Sequence, residues 1–292
     1  MALNYFSSVG IVWMNKAASN MGFTWTTSLT CLHFLFTYLG LELCATAGMF
    51  ERKALPAMEV IRVSLAFCGF VVFNNLSLQY NAVGLYQLLK VLTTPVIAVL
   101  QYFLYGTTIP MMELVSLVPI IMGVCLATVS HLEVNSLGLM WGCFGILSTS
   151  MYQIWVKEEQ KRLGCNAQQL LYFQAPISTV MLLFVAAYVD DAIVGGPFDF
   201  EWTNKATVAV FGSAAMAFLV NLSIFLVIGK TDPIAYNVLG YAKLCLILCS
   251  GPVLFNEPVT PKVACGTFLA LVGIFWYTWL RLPARPAKKE AQ

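Results

Sequence analysis

Apolar runs of about twenty residues, each closed by a short polar stretch, recur from one end of the chain to the other. A helix needs roughly 20 apolar residues to cross about 30 Å of hydrocarbon, so each run is long enough to span a bilayer. Segments such as LVSLVPIIMGVCLATV are apolar on every side, whereas barrel strands alternate apolar and polar positions. The pattern predicts an all-α polytopic membrane protein with ten transmembrane helices, near residues 2–18, 26–46, 60–79, 84–104, 113–130, 137–156, 168–189, 204–228, 234–255 and 262–281. A single transmembrane domain then occupies residues 1–292, with a polar tail over 282–292.

Composition agrees: 59% of residues are hydrophobic and 10% charged, and mean hydropathy is +0.78. Soluble domains carry about a quarter charged residues, so a soluble enzyme is excluded and the lipid bilayer, not nucleic acid, is the expected surroundings. Ten spans divide the basic residues unevenly. Arg52, Lys53, Arg62, Lys157, Lys161, Arg162, Lys230, Arg281, Arg285, Lys288 and Lys289 fall on the side shared by both termini, against Lys16, Lys205 and Lys262 on the other. Cytoplasmic loops are enriched in Lys and Arg, which puts both termini and the tail in the cytoplasm. The first apolar run begins at once, without a basic stretch or small-residue cleavage site, so no cleaved signal or organelle presequence is expected.

The two halves echo each other. Asn75-Leu76-Ser77-Leu78 recurs as Asn221-Leu222-Ser223-Ile224, Lys16 matches Lys157, Tyr86-Gln87 matches Tyr236-Asn237, and Gly123 matches Gly273, at slowly drifting spacings. Repeat one covers about 2–130 and repeat two about 137–281. Five spans per repeat is an odd number, so the second repeat is inverted relative to the first. Inverted repeats are a recurrent transporter construction, with substrate bound near the midplane.

Lys90 and Lys243 each stand in the middle of an apolar run, GLYQLLKVLTTPVIAVLQYFL and IAYNVLGYAKLCLILCSGPVLF, on equivalent helices of the two halves. A lysine at that depth costs roughly 2.5 to 3.5 kcal/mol on insertion scales and marks a functional site by default. Nearly all acidic residues lie in loops or at span edges, with Glu42 near one end of the second run. Two cations lining one central cavity therefore call for an anionic substrate, and phosphate is the anion that paired lysines most often meet. Intramembrane carboxylates, the usual proton relays of transporters, are missing from the middle of the runs, which favours exchange of one anion for another. Tyr86, Gln87, Thr93 and Thr94 follow the Lys90 face at helical spacing, and Tyr236 and Gly240 follow that of Lys243, with Asn237 close by. Asn74, Asn75, Ser77 and Asn81, with Asn221 and Ser223, add neutral donors and acceptors for a sugar, ribose or base. Such residues also tie membrane helices together without any ligand.

Other chemistry is poorly represented. The nine cysteines are scattered and form no CxxC, and the two histidines, His33 and His131, are far apart in sequence. No metal and no cofactor is expected. A membrane enzyme would need clustered acids, histidines or a nucleophile at one membrane face, and none is seen. Pro95, Pro119, Pro176 and Pro252 lie inside spans, where they kink helices.

The stretches NNLSLQYNAVGLYQLLKVLTTPVI, LLYFQAPIS and VNLSIFLVIGKTDPIAYNVLGYAK resemble the nucleotide-sugar and triose-phosphate translocator branch of the drug/metabolite transporter superfamily, nearest its solute carrier family 35 subfamily E and plant UDP-sugar members. The resemblance covers nearly the whole chain. It implies ten spans, cytoplasmic ends, a Golgi or endoplasmic-reticulum membrane, and antiport of a nucleotide-sugar against a nucleoside monophosphate. It also implies phosphate contacts for Lys90 and Lys243, a role for Lys16 of the Asn15-Lys16 pair, and a nucleotide contact for Asn221. The chain departs at Leu244, where plastid phosphate translocators carry arginine beside the lysine. That departure favours a nucleotide-sugar over the alternative, a sugar phosphate exchanged for phosphate. A second copy of the chain is left open as a partner.

Overall fold

The computed structural model describes residues 2–81, 83–128, 135–190, 196–255 and 260–281. His131, the tail from residue 282, and the side chains of Lys16, Gln87, Leu244, Cys249 and Pro252 lie outside the described residues. The described chain forms eleven α-helices: α1 (Ala2–Asn20), α2 (Thr26–Thr46), α3 (Ala57–Tyr80), α4 (Val83–Val91), α5 (Thr93–Tyr105), α6 (Met111–Thr128), α7 (Ser136–Arg162), α8 (Ala167–Val189), α9 (Asn204–Lys230), α10 (Pro233–Phe255) and α11 (Pro261–Arg281). A single 3-10 turn, Pro197–Asp199, precedes α9.

Helices therefore lie over all ten apolar runs, with one departure from the expected pattern: the fourth run divides into α4 and α5 at the single turn residue Leu92, whose own backbone stays right-handed helical. Pro95 explains the interruption. Proline has no amide hydrogen, so the helical bond from residue 95 back to the Val91 carbonyl is missing there. Pro119 and Pro176, by contrast, remain inside α6 and α8. α7 runs past the end expected near 156, because Lys157 to Arg162 continue it as a polar extension of roughly a turn and a half.

Six helices among the described residues are long and apolar enough to cross a membrane: Thr26–Thr46, Ala57–Tyr80, Leu88–Tyr105, Ala167–Val189, Asn204–Lys230 and Pro261–Leu280. Their outward positions carry large apolar side chains, Phe103, Phe184, Phe275 and Trp279 among them, all strongly exposed. Water would penalise such a surface and lipid accepts it. The chain is an integral membrane protein.

Local signals set the ends. Asn166 accepts from the Gln169 amide at 2.8 Å while the Gln169 side chain accepts from the Asn166 amide at 3.0 Å, a reciprocal cap that starts α8. Asn135 caps α7 and Thr203 caps α9 in the simpler one-way manner. Gly106, at φ 63°, ends α5: its amide bonds the Tyr102 carbonyl and the Thr107 amide reaches back to Gln101. Asn166→Ala is expected to cost about 1 kcal/mol, read as a lower thermal midpoint in detergent; an unchanged midpoint would count against the cap.

Packing joins the two halves of the chain. The most extensive pairings are α6 on α11, α3 on α7, α1 on α9 and α2 on α8. α6 and α11 are antiparallel and close enough to touch through backbone: Ile120 lies against Gly273, Gly123 against Ala270, and Ala127 against Gly266. The largest core cluster, around Phe34, Phe67, Leu171, Leu182, Phe225 and Ile228, draws on α2, α3, α7, α8 and α9. A second, around Ile97, Ile120, Ile234, Tyr241 and Tyr277, joins α5, α6, α10 and α11.

Candidate functional site

Lys90 falls in the last turn of α4 and is exposed; Lys243 lies midway along α10 and is half-buried. Lys90 is near enough for its charge to bear on Lys243. The Lys243 Nζ donates to Ser8 Oγ of α1 at 3.1 Å. Beside it Gly240 faces open space, since a Cβ built there would meet nothing within 4 Å. The site thus gathers α1, α4 and α10.

Carboxylates with assigned partners are engaged elsewhere. Glu42 pairs with Arg52 and accepts from the Tyr172 hydroxyl at 2.5 Å. Arg162 bridges Glu59 at 2.8 Å and Glu159 at 2.7 Å. Asp190 accepts from the Ser28 amide and hydroxyl at the start of α2. Asp232 caps α10 through the Ala235 amide at 2.9 Å. Among these, Glu42, Glu59 and Glu159 meet arginines near helix ends.

The residues expected around Lys90 differ in burial: Thr93 and Thr94, past the turn residue Leu92, are buried, while Lys90 is exposed. Thr94 Oγ1 lies 2.5 Å from the Tyr241 hydroxyl and accepts from Asn237 Nδ2 at 3.3 Å. Tyr86 is half-buried on α4, and Tyr236 packs against the largest core cluster. Gln87 and Lys16 belong to α4 and α1.

Several asparagines are occupied in joining helices. Asn221 Nδ2 donates to Thr37 Oγ1 of α2 at 2.9 Å, and Asn75 Nδ2 to Thr26 Oγ1 at 3.4 Å. Asn74 donates to Thr149 Oγ1 on α7 at 3.1 Å, Asn81 to Ser77 Oγ at 3.0 Å, and Ser223 to the Val220 carbonyl of its own helix. Sequence reasoning did not single out Ser8 or Tyr241. A serine on α1 carries no signal until tertiary contacts bring it to Lys243, whereas Pro95 announces that the Val91 carbonyl needs another donor without saying which.

Lys90 on α4 and Lys243 on α10 thus place two cations of a helical membrane protein within range of each other. The model of the Triose-phosphate Transporter family matches residues 1–278, and the chain belongs to that family. It is a transporter, not an enzyme. It is 32% identical over 291 residues to the UDP-xylose transporter 1 of Arabidopsis thaliana, covering 99% of this chain and 85% of that protein. The UDP-rhamnose/UDP-galactose transporter 1 of the same plant is 32% identical over 283 residues, covering 95% and 81%. A solved crystal structure superposes with a TM-score of 0.72 at 14% identity, covering 96% of this chain and 98% of that one; at that identity it speaks for the fold alone.

Proposed function

We propose that the chain carries a nucleotide-sugar, in the first place a UDP-sugar, across a Golgi or endoplasmic-reticulum membrane in exchange for a nucleoside monophosphate. The observation that carries this reading is that two span lysines, Lys90 and Lys243, lie within range of each other's charge in a chain similar to UDP-sugar transporters. Two cations brought together repel, and an anion between them relieves that repulsion. A loaded site is electrostatically easy to move, while an empty one is not, and strict exchange follows. In this scheme Tyr86, Gln87, Tyr236, Asn237, Asn75, Asn221, Thr94 and Lys16 surround or support the cargo.

The same reading takes α4 and α5 as one span and gives ten, both ends cytoplasmic, with repeat one over about 2–130 and an inverted repeat two over about 137–281. Support comes from the packing. Exchanging α1 with α7, α2 with α8, α3 with α9, α4/α5 with α10 and α6 with α11 turns the α3 on α7 pairing into α9 on α1, and α3 on α8 into α9 on α2, both of which occur. The contact of Gly123 with Ala270 becomes that of Gly273 with Ile120, again present. A pseudo-twofold axis relates such pairs, and rocking of one repeat against the other opens the site to either side.

Counterflow into liposomes tests the function. Uptake of a labelled UDP-sugar is expected to need UMP inside and to be competed by nucleotide-sugars more than by triose phosphates. Full-rate uptake into vesicles with no counter-substrate would remove exchange. Preference for sugar phosphates traded for inorganic phosphate would replace the nucleotide-sugar reading with that of a triose-phosphate exchanger.

A further inference from the structure

In an α-helix each carbonyl accepts from the amide four residues on. The residue four after Val91 is Pro95, which has no amide hydrogen. The Val91 carbonyl, at a residue only 2% exposed, is therefore left without its helical donor. A buried carbonyl left that way costs roughly 1 to 3 kcal/mol. The hydroxyl of Tyr241 supplies the missing donor, at 3.1 Å.

That hydroxyl is itself part of a chain. Tyr241 gives its proton to the Val91 carbonyl, so in the 2.5 Å contact with Thr94 the threonine hydroxyl donates and the tyrosine oxygen accepts. Thr94 Oγ1 in turn accepts from Asn237 Nδ2 at 3.3 Å. Each donor is used once, and Asn237 and Tyr241, four apart, lie along one face of α10. The chain joins the fourth run to α10 close in sequence to both lysines: Val91 adjoins Lys90, and Tyr241 is two residues before Lys243.

We propose that Tyr241 is a positioning residue for the anion site, its hydroxyl standing in for the amide that Pro95 lacks and thereby setting the separation of Lys90 and Lys243. This rests on the reading of the two lysines as the phosphate-binding pair. A diphosphate engages both cations only if they are held at a matching distance. Fixing the break in α4/α5 against α10 holds them there without a rigid helix, which a rocking transporter would have to bend.

The test is a pair of variants in the full chain, reconstituted and assayed by UDP-sugar counterflow with UMP inside. Tyr241→Phe keeps the ring and removes the donor. It is expected to raise KM about 2- to 12-fold, the worth of one net hydrogen bond, with little change in maximal rate or thermal midpoint. Adding Pro95→Ala restores a backbone amide to the Val91 carbonyl and should return KM to within about twofold of wild type. An unchanged KM in Tyr241→Phe overturns the proposal, as does a raised KM that Pro95→Ala fails to lower, because the hydroxyl would then act somewhere other than at Val91. Should Tyr241→Phe not fold, the double variant alone decides: it must fold and transport. Wild-type protein that carries no phosphorylated compound would instead sink the site reading itself, a result distinct from either.

Discussion

Lys90→Ala and Lys243→Ala are each expected to lower uptake of a nucleotide-sugar at sub-saturating concentration by about 10- to 150-fold, the worth of roughly 1.5 to 3 kcal/mol for a hydrogen bond to a charged group. The folded protein should survive both changes, since removing a cation from a site that already holds another relieves repulsion. Lys205→Ala, at an exposed position one residue into α9, is the control and should transport normally. Arginine in place of either lysine keeps the charge but presents a planar fork instead of a compact ammonium, so partial activity is expected. Normal uptake by both alanine variants would mean that the cargo is held elsewhere.

The second large effect concerns folding. A Cβ at Gly123 would lie 2.3 Å from the Ala270 nitrogen and 2.5 Å from the Gly266 oxygen, both backbone atoms that no rotamer change can move. Gly123→Leu must therefore push α6 away from α11 along the crossing where the two helices approach most closely. The cost is expected at or beyond the roughly 3 kcal/mol upper range for overpacking, enough to remove most folded protein. Small residues that let backbones touch are a general basis of helix association in lipid. Gly240→Ala, which meets open space, should leave the amount of folded protein unchanged; size-exclusion profiles in detergent would compare the two. A monodisperse Gly123→Leu protein would show that the crossing is looser than described.

Much of this architecture is legible in the sequence because lipid imposes a simple rule: backbone polar groups must be satisfied within the segment, so apolar runs become helices. Gly123 and Gly273, two small residues in the sixth and last helices, both lie at the α6/α11 crossing. What the sequence left open is which polar side chain meets which. Asn221 and Thr37, or Lys243 and Ser8, are far apart in the chain and share no periodic pattern. Thr94 illustrates the difficulty: helical spacing from Lys90 groups the two, yet Thr94 is buried against Tyr241 while Lys90 is exposed.

The central claim is that Lys90 and Lys243 together hold the phosphate of the cargo. Equilibrium binding of UMP to purified protein tests it most directly, with uridine, which lacks the phosphate, as the comparison. The expected result is that wild-type protein binds UMP and hardly binds uridine, and that Lys90→Ala and Lys243→Ala each raise the Kd for UMP at least about tenfold. A wild-type Kd for UMP in both variants would contradict it.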